Sequence, residues 1–335
     1  MTRALKVISC GPSVTVQDRG RPGHLAHGLS RGGAADRLAL AEGAALLGQS
    51  GDLAALEMAG FGGEFAPTAP MRIALTGAPM DATIDGRSVV WNASHMLAPG
   101  QRLRIGAARR GVYGYLHVGG GIDTPLRLGA RAVHLASGLG RAMAPGDAVP
   151  VGPDAQGQTG QVLAAQDRFS GGAARILTSA QTALFTPETL ARFEATAFSR
   201  DQRANRQGMR LAFDGAPFAA QGQLNILSEI IVPGDIQMTG DGAPFVLLPE
   251  CQATGGYPRI GSVIPADLPM VAQARPGAPL RFRFVDLPEA LAAHRAAIAE
   301  KAGLRTKLRP LIRDPRYMND LLSYQLIGGA ITGWE

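Results

Sequence analysis

Three short stretches carry residue types that could do chemistry. The loop "CQATGGYPRIGSVIPADLP" (251–269) sets Tyr257 and Arg259 among two adjacent glycines and three prolines. Gly255-Gly256 opens backbone conformations closed to other residues, while Pro258 fixes its own φ and pushes Tyr257 toward extended geometry. A loop shaped this way holds a phenol and a guanidinium at fixed angles, which suits a small carboxylate or carbonyl compound. Gly and Pro also punctuate ordinary turns, so a purely structural loop is the competing reading. "GLSRG" (28–32) matches Gly-x-Ser-x-Gly before a helix, but a nucleophile elbow also needs a hydrophobic strand ahead of it. The approach "RPGHLAH" is turn-like and no Asp-then-His order stands out downstream, which argues against Ser30 as a nucleophile. His24 and His27 form His-x-x-His in a loop without a nearby cysteine or third ligand, so no metal site is expected.

Elements must position these residues, and the composition says which kind. At 335 residues, with 44 glycines and 23 prolines, the chain has length for two domains and turns for many strands. Aromatics make up only 5%, so alanine, leucine, valine and glycine must fill most of the interior. The formal charge is +6, yet lysine occurs only at Lys6, Lys301 and Lys307, and the arginines are spread rather than blocked. With no zinc finger, basic-region heptads or RNP-like aromatics, nucleic acid is not an expected partner. No lysine follows a glycine, so there is no P-loop, and "VGGGID" (118–123) lacks the third Rossmann glycine. Two cysteines, Cys10 and Cys251, and an N-terminus without a long apolar run point to a cytoplasmic protein. "LLSYQLIGGAITGW" (321–334) is too short to span a bilayer and reads as a docking segment or hairpin, so no membrane association is expected.

The spacing of Leu38, Ala41, Ala45 and Leu46, with Gly48 as a stop, predicts a helix over 34–47. "MRIALTG" (71–77) reads as a strand, and "MDATIDGRSVVW" (80–91) as a hairpin turning at Asp85-Gly86. Alternation through Leu103 and Ile105, then Tyr113, Tyr115 and His117, continues an antiparallel barrel or sandwich. Pro-Gly turns before alternating runs at 97, 143 and 274 suggest a duplicated β-unit. The Gly- and Gln-rich stretch 153–174 reads as a linker. Beyond it come a strand from Arg175, a helix capped by Thr186 with Pro187 at its first turn, and a helix from Asp286 to Ala302. Leu287, Leu291, His294 and Ile298 are expected on the inner face of that last helix, with His294 semi-buried rather than a ligand. The fold class is mainly β with a few helices.

Six blocks in register carry a resemblance: "TVQDRGRPGHLAHGLSRGGAAD" (15–36), "LEM" (56–58), "IALTGAPMDATIDG" (73–86), "YLHVGGGIDTPLRLGARA" (115–132), "NRQGMRL" (205–211) and residues 226–277. Over residues 5–285 the chain resembles the family of the 5-oxoprolinase C-type subunit, also called allophanate hydrolase subunit 2, KipA-like or biotin-dependent carboxyltransferase family. The resemblance implies tandem cyclophilin-like β-barrel domains, placed at 1–152 and 175–285, followed by a helix and tail over 286–335. It also implies a B-type (KipI-like) and an A-type (LamB/YcsF-like) partner subunit, with which ATP-dependent opening of 5-oxoproline to glutamate takes place. ATP would then be used at the level of the complex, with Mg as a possible companion. Two alternatives share the resemblance: a biotin-dependent carboxyltransferase component acting on a small amide, and a non-catalytic regulator that binds a kinase inhibitor. Departures stand at Ser30 and Gly32, where the family usually has Pro and then Ser, and at Ser179-Ala180-Gln181. Residues 305–335 match nothing in the family and are read as a partner or dimer contact.

A substrate with a carboxylate and a lactam carbonyl calls for an arginine fork, donors to the carbonyl oxygen, and an acid or base. The implied substrate-binding set is Arg206, Arg210, Gln237, Gln252 and Arg259 from the second half, with Asp18 and Arg21 from the first. Asp241, Asp267 and Tyr257 are the implied catalytic candidates. Asp36 is equally well explained as a helix cap. The expected site lies between the two barrels, with the 251–269 loop as one wall.

Overall fold

The computed structural model describes residues 3–164, 166–222 and 226–312. The 321–334 segment and most of 305–335 lie outside the described residues.

In the first half two antiparallel sheets pack face to face: strands of one alternate buried and more exposed residues, whereas the central strands of the other are buried on both faces. One has six strands in the order Ala148–Pro150, Ala4–Cys10, Phe61–Pro67, Leu103–Ala108, Met80–Ile84, Arg87–Ser88. The other has five, in the order Val14–Gln17, Ala55–Ala59, Tyr113–Val118, Met71–Gly77, Ser94–Leu97. Leu5, Val7, Leu56, Ile73, Leu103 and Leu116 interleave between them. The Asp85-Gly86 turn forms as read: both residues have positive φ, 49° and 79°, and Thr83 and Ile84 pair with Ser88 and Arg87.

The second half closes into a seven-stranded barrel, in the order Gly172–Leu177, Arg259–Val263, Asp235–Met238, Pro244–Leu247, Gly208–Ala212, Phe198–Ala204, Pro279–Phe284. The last strand returns to the first in a parallel pair. Scarce aromatics are concentrated here: Phe193 packs against Phe198, Phe218 and Phe282 with ring centroids 5.0, 5.6 and 5.5 Å away. Closure, expected of both halves, is thus found only in the second. The first half stays open because each of its sheets ends on distinct edge strands that do not pair with one another. The Ser94–Leu97 edge is instead covered by the stretch assigned to the linker: Gly160 N–H donates to Ser94 O and Leu163 N–H to Asn92 O, both at 2.9 Å.

The first helix, α1 (Arg37–Leu47), lies on the outer face of the five-stranded sheet. Asp36 caps it, one carboxylate oxygen accepting from Leu38 and Ala39 N–H at 3.0 and 3.1 Å. A Cβ at Gly43 would sit 2.3 Å from the His117 ring, so the glycine lets the helix close onto the sheet there. Next come α2 (Pro187–Ala195), capped by Thr186 as read, the short α3 (Leu268–Gln273), and α4 (Leu287–Ala302), capped by Asp286.

The inner face of α4 is a correction. Leu287, Leu291 and Ile298 are 58, 43 and 54% exposed, and His294 is exposed with them. Ala290 is buried instead, with Ala293 and Ala297 half-buried. An alanine-rich helix carries two apolar stripes, and the smaller side chains allow closer approach to the barrel.

His117 is sealed between α1 and the sheet, its Nε2 2.8 Å from the Thr76 hydroxyl, and burial pushes its pKa down to about 3. An unfolded histidine titrates near ~6.5. Below that value the unfolded chain binds the extra proton and the folded chain does not, so stability present above pH ~6.5 is lost as pH falls toward 3. Thermal melts between pH 7 and 4 should therefore show a steeper loss for wild type than for His117→Gln; parallel curves would contradict this.

Candidate functional site

Four carboxylates and two arginines are buried where the halves meet, and all six are paired. Arg206 sits in the turn between barrel strands Phe198–Ala204 and Gly208–Ala212. Its Nε donates to Glu250 at 2.5 Å, its Nη2 to Gly33 O at 2.6 Å and its Nη1 to Glu57 of the first half. The second oxygen of Glu57 accepts from the Tyr115 hydroxyl at 2.6 Å and from Ala35 N–H at 2.8 Å. That hydroxyl accepts from Asp36 N–H at 2.8 Å, which links the cluster to the α1 cap. Asp36 also accepts from Arg168 Nε at 2.6 Å and Gln273 Nε2 at 2.9 Å, while Arg168 forks onto Glu42 at 2.9 and 2.7 Å. The Gln273 carbonyl accepts from Val112 and Tyr113 N–H, each at 2.9 Å, so α3 plugs into the first half. Burial works against charge on Arg206, but Glu57 and Glu250 outweigh it and hold its pKa above the usual value.

Beside this network a cavity of about 480 Å³ opens between the halves. Arg21, Ser30, Arg31 and Arg37 line one side, Pro233, Pro249, Pro265 and Leu268 the other, and His294 and Lys301 of α4 a third. At its corner Ser30 Oγ lies 2.9 Å from His134 Nε2, both residues being 2% exposed. Among the described residues His134 Nδ1 has no hydrogen-bond partner, and it faces Glu250 Oε2 at 3.9 Å. Arg21 is 1% exposed; it donates to the Ala132 and Arg127 carbonyls, and its Nη1 has no partner among the described residues. Gly32, at φ +62°, makes room for both: a Cβ there would lie 3.1 Å from His134 Cδ2 and 3.4 Å from Arg21 Nη1. Burial lowers the His134 pKa, Glu250 pulls against it, and Arg21 and Arg206 add to the lowering. The imidazole is therefore neutral near pH 7 and can accept a proton. Ser30, His134 and Glu250 also border a cavity of about 490 Å³ on their far side, with Gln252 and Thr254.

The residues picked out in the sequence do not converge on one point. Arg206 reaches the interface but is consumed by its two carboxylates. Arg210 is on the barrel surface with Asp201 and Asp241, at 3.4 and 2.5 Å, and Thr239 also binds Asp241, whose pKa is lowered to about 2. Asp267 is held by Arg175 through Nε and Nη2 at 2.9 and 2.6 Å. Arg259 is spent on Glu229 at 2.5 Å and Asp235 at 3.3 Å, so it does not join Tyr257 in facing a ligand. Tyr257, Gln252 and Gln237 do share a cavity, of about 240 Å³, and the buried Gln237 Nε2 has no partner among the described residues. Asp18 shapes its own loop through Gly20 and Arg131 N–H at 2.7 and 2.6 Å, while Arg21 lines the inter-half cavity. From the 251–269 loop, Pro265, Leu268 and Pro269 form a wall of that cavity. No sequence motif marks Glu57, Glu250, His134, Arg168 or Gln273 as site residues. Only Glu57 left a signal, an acid in the middle of the otherwise apolar strand Ala55–Ala59.

This architecture is that of a carboxyltransferase-type domain: the chain belongs to the family of the carboxyltransferase domain, subdomains A and B, whose profile matches residues 27–284. Within it, the chain is similar to the 5-oxoprolinase C-type subunit of Escherichia coli, 33% identical over 296 residues that cover 86% of this chain and 94% of that one. It is 30% identical to the corresponding 5-oxoprolinase subunit of Haemophilus influenzae over 290 residues, 85% of this chain and 93% of that one. Among solved structures it superposes on TTHA0988 with TM-score 0.77 at 28% identity, covering 84% of this chain and 56% of that one. The urea amidolyase of Kluyveromyces lactis shares the fold with TM-score 0.79 at 22% identity, over 93% of this chain and 21% of that one. The chain thus spans about half of the first solved structure and a fifth of the second.

Removing Arg206 strands two buried carboxylates, whereas removing Arg210 frees surface ones. Arg206→Ala should cost about 3–5 kcal/mol, and Arg210→Ala under about 1 kcal/mol. Urea denaturation of both variants checks the contrast; equal losses would show that the buried network is not what holds the halves together.

Proposed function

We propose that the chain is the C component of an ATP-dependent 5-oxoprolinase, inactive alone and working with B-type and A-type partner subunits in the cytoplasm. The observation that carries this reading is the likeness to the 5-oxoprolinase C-type subunit along 94% of the E. coli protein. The cleft suits the chemistry. Hydrolysing the lactam adds water across the C–N bond: the carbonyl carbon gains the oxygen and the ring nitrogen gains a proton. Arg21, whose buried Nη1 has no partner among the described residues, can take the substrate carboxylate. Neutral His134, 2.9 Å from Ser30 Oγ, can accept a proton from water held at the Ser30 hydroxyl and return it to the leaving nitrogen. Glu250, behind Nδ1, stabilises the imidazolium that forms. ATP, with Mg as its companion, supplies the driving force at the level of the complex.

A second reading is favoured by the family profile itself: a carboxyltransferase component acting on a small amide with biotin as carrier. A neighbouring biotin carboxylase gene would support it, and a neighbouring A-type subunit gene the first.

The test is ATP-dependent glutamate release from 5-oxoproline by the co-purified three-subunit complex, omitting each component in turn. Activity should vanish without this chain, and His134→Gln or Ser30→Ala should lower kcat by about 10²–10⁴-fold with the complex still assembled. No turnover by the complete complex would overturn the reading. Full turnover by His134→Gln would overturn the assigned roles alone.

A further inference from the structure

Two cavities meet at three cations. Arg31, Arg37 and Lys301 line the 480 Å³ inter-half cavity and also a second one, of about 460 Å³, running along α1. The second cavity adds Arg19 and Arg305 above a floor of Leu40, Ala41 and Ala44. Among the described residues, no aspartate or glutamate lines either one. Asp52 pairs with Arg19 at 2.7 Å from outside the lining, and both side chains are largely exposed. Arg31 spends its Nε on the Arg19 carbonyl, and Arg305 one N–H on the Gln49 carbonyl, each at 3.0 Å. The rest of both forks has no partner among the described residues.

Arg37 is the telling residue. Its guanidinium is half-buried and, among the described residues, has no hydrogen-bond or ion-pair partner. Burial, then repulsion from Arg31 and Arg19, lowers its pKa to about 10. Lys301 is lowered too, by burial first, with Asp36 opposing and Arg37, Arg19 and Arg168 adding to it. Asp36, next to Arg37 in the chain, cannot help, being committed to the α1 cap, Arg168 and Gln273. A fold that crowds like charges around an unpartnered guanidinium spends stability, and a bound anion recovers it.

Guanidinium forks match phosphate oxygens, and an ammonium adds a point charge between them. We infer that Arg31, Arg37 and Lys301 bind the phosphate groups of a small organic ligand of nucleotide class, with its ring in the proline-walled cavity at Pro249, Pro265 and Leu268. Further phosphates run along α1 toward Arg19 and Arg305. The choice of a nucleotide rests on the ATP-dependent reading above, whereas the cationic lining is read from this chain alone.

The experiment is calorimetric titration of the isolated full chain with ATP, AMP and pyrophosphate at two salt concentrations. The variants are Arg37→Ala, Lys301→Ala and, as a charge-matched control, Arg102→Ala, an exposed residue paired with Glu64. ATP should bind more tightly than pyrophosphate. Arg37→Ala and Lys301→Ala should each weaken ATP by 10-fold or more, and Arg102→Ala should leave it unchanged. Because Arg37 has no partner among the described residues, Arg37→Ala should melt no lower than wild type while losing the thermal shift given by ATP. Pyrophosphate binding as well as ATP would overturn the ring's place in the apolar cavity. No binding, or an equal loss with Arg102→Ala, would overturn the site. Either failure leaves the glutamate-release assay unaffected, so the two readings fall separately.

Discussion

The cleft between the halves depends on one constraint: Arg206 of the barrel is buried between Glu57 of the sandwich and Glu250 of its own half. Three charges removed from water are tolerable only with all partners in place, because a single unpaired buried charge is far more costly than the pair. The halves therefore cannot separate or slide without exposing the group most expensive to leave unmatched. Tyr115 and Asp36 extend the same connection to Arg168, Glu42 and Gln273, so the α1 cap, α3 and the strand Tyr113–Val118 share one hydrogen-bonded frame. The cleft beside it is preformed.

That frame also divides the charge. Carboxylates at the interface are turned inward and neutralised, while the neighbouring arginines and Lys301 face cavities that no acid lines among the described residues. Glu250 belongs to both sides: one oxygen is bound by Arg206, and the other faces His134. Structural pairing and proton chemistry thus share a residue. Substitution at Glu250 would disturb both, which makes His134 and Ser30 the cleaner probes of chemistry.

Local signals were readable in the sequence wherever the cause was local. The Asp85-Gly86 turn, the caps at Asp36, Thr186 and Asp286, and the strand from Arg175 each rest on backbone preferences of a few neighbouring residues. Closure of the first half and the orientation of α4 were not readable, since both are decided by partners distant in sequence. The alanine and leucine stripes of α4 have the same period, and only the barrel surface chooses between them. The candidate site was legible as a neighbourhood, between the halves and against the 251–269 loop. Its residues were not: Ser30 and His134 are 104 positions apart, and Arg259 looks free until Glu229 and Asp235 are placed beside it. In an arginine-rich chain the sequence does not show which guanidinium lacks an acid.

The central claim, that the halves are locked into one unit around a preformed cleft, is tested most directly by scanning calorimetry of the intact chain. A single transition with calorimetric and van't Hoff enthalpies in agreement is the predicted result, since neither half can melt without stranding the other's charges. Two separable transitions, with the barrel persisting after the sandwich has unfolded, would contradict it.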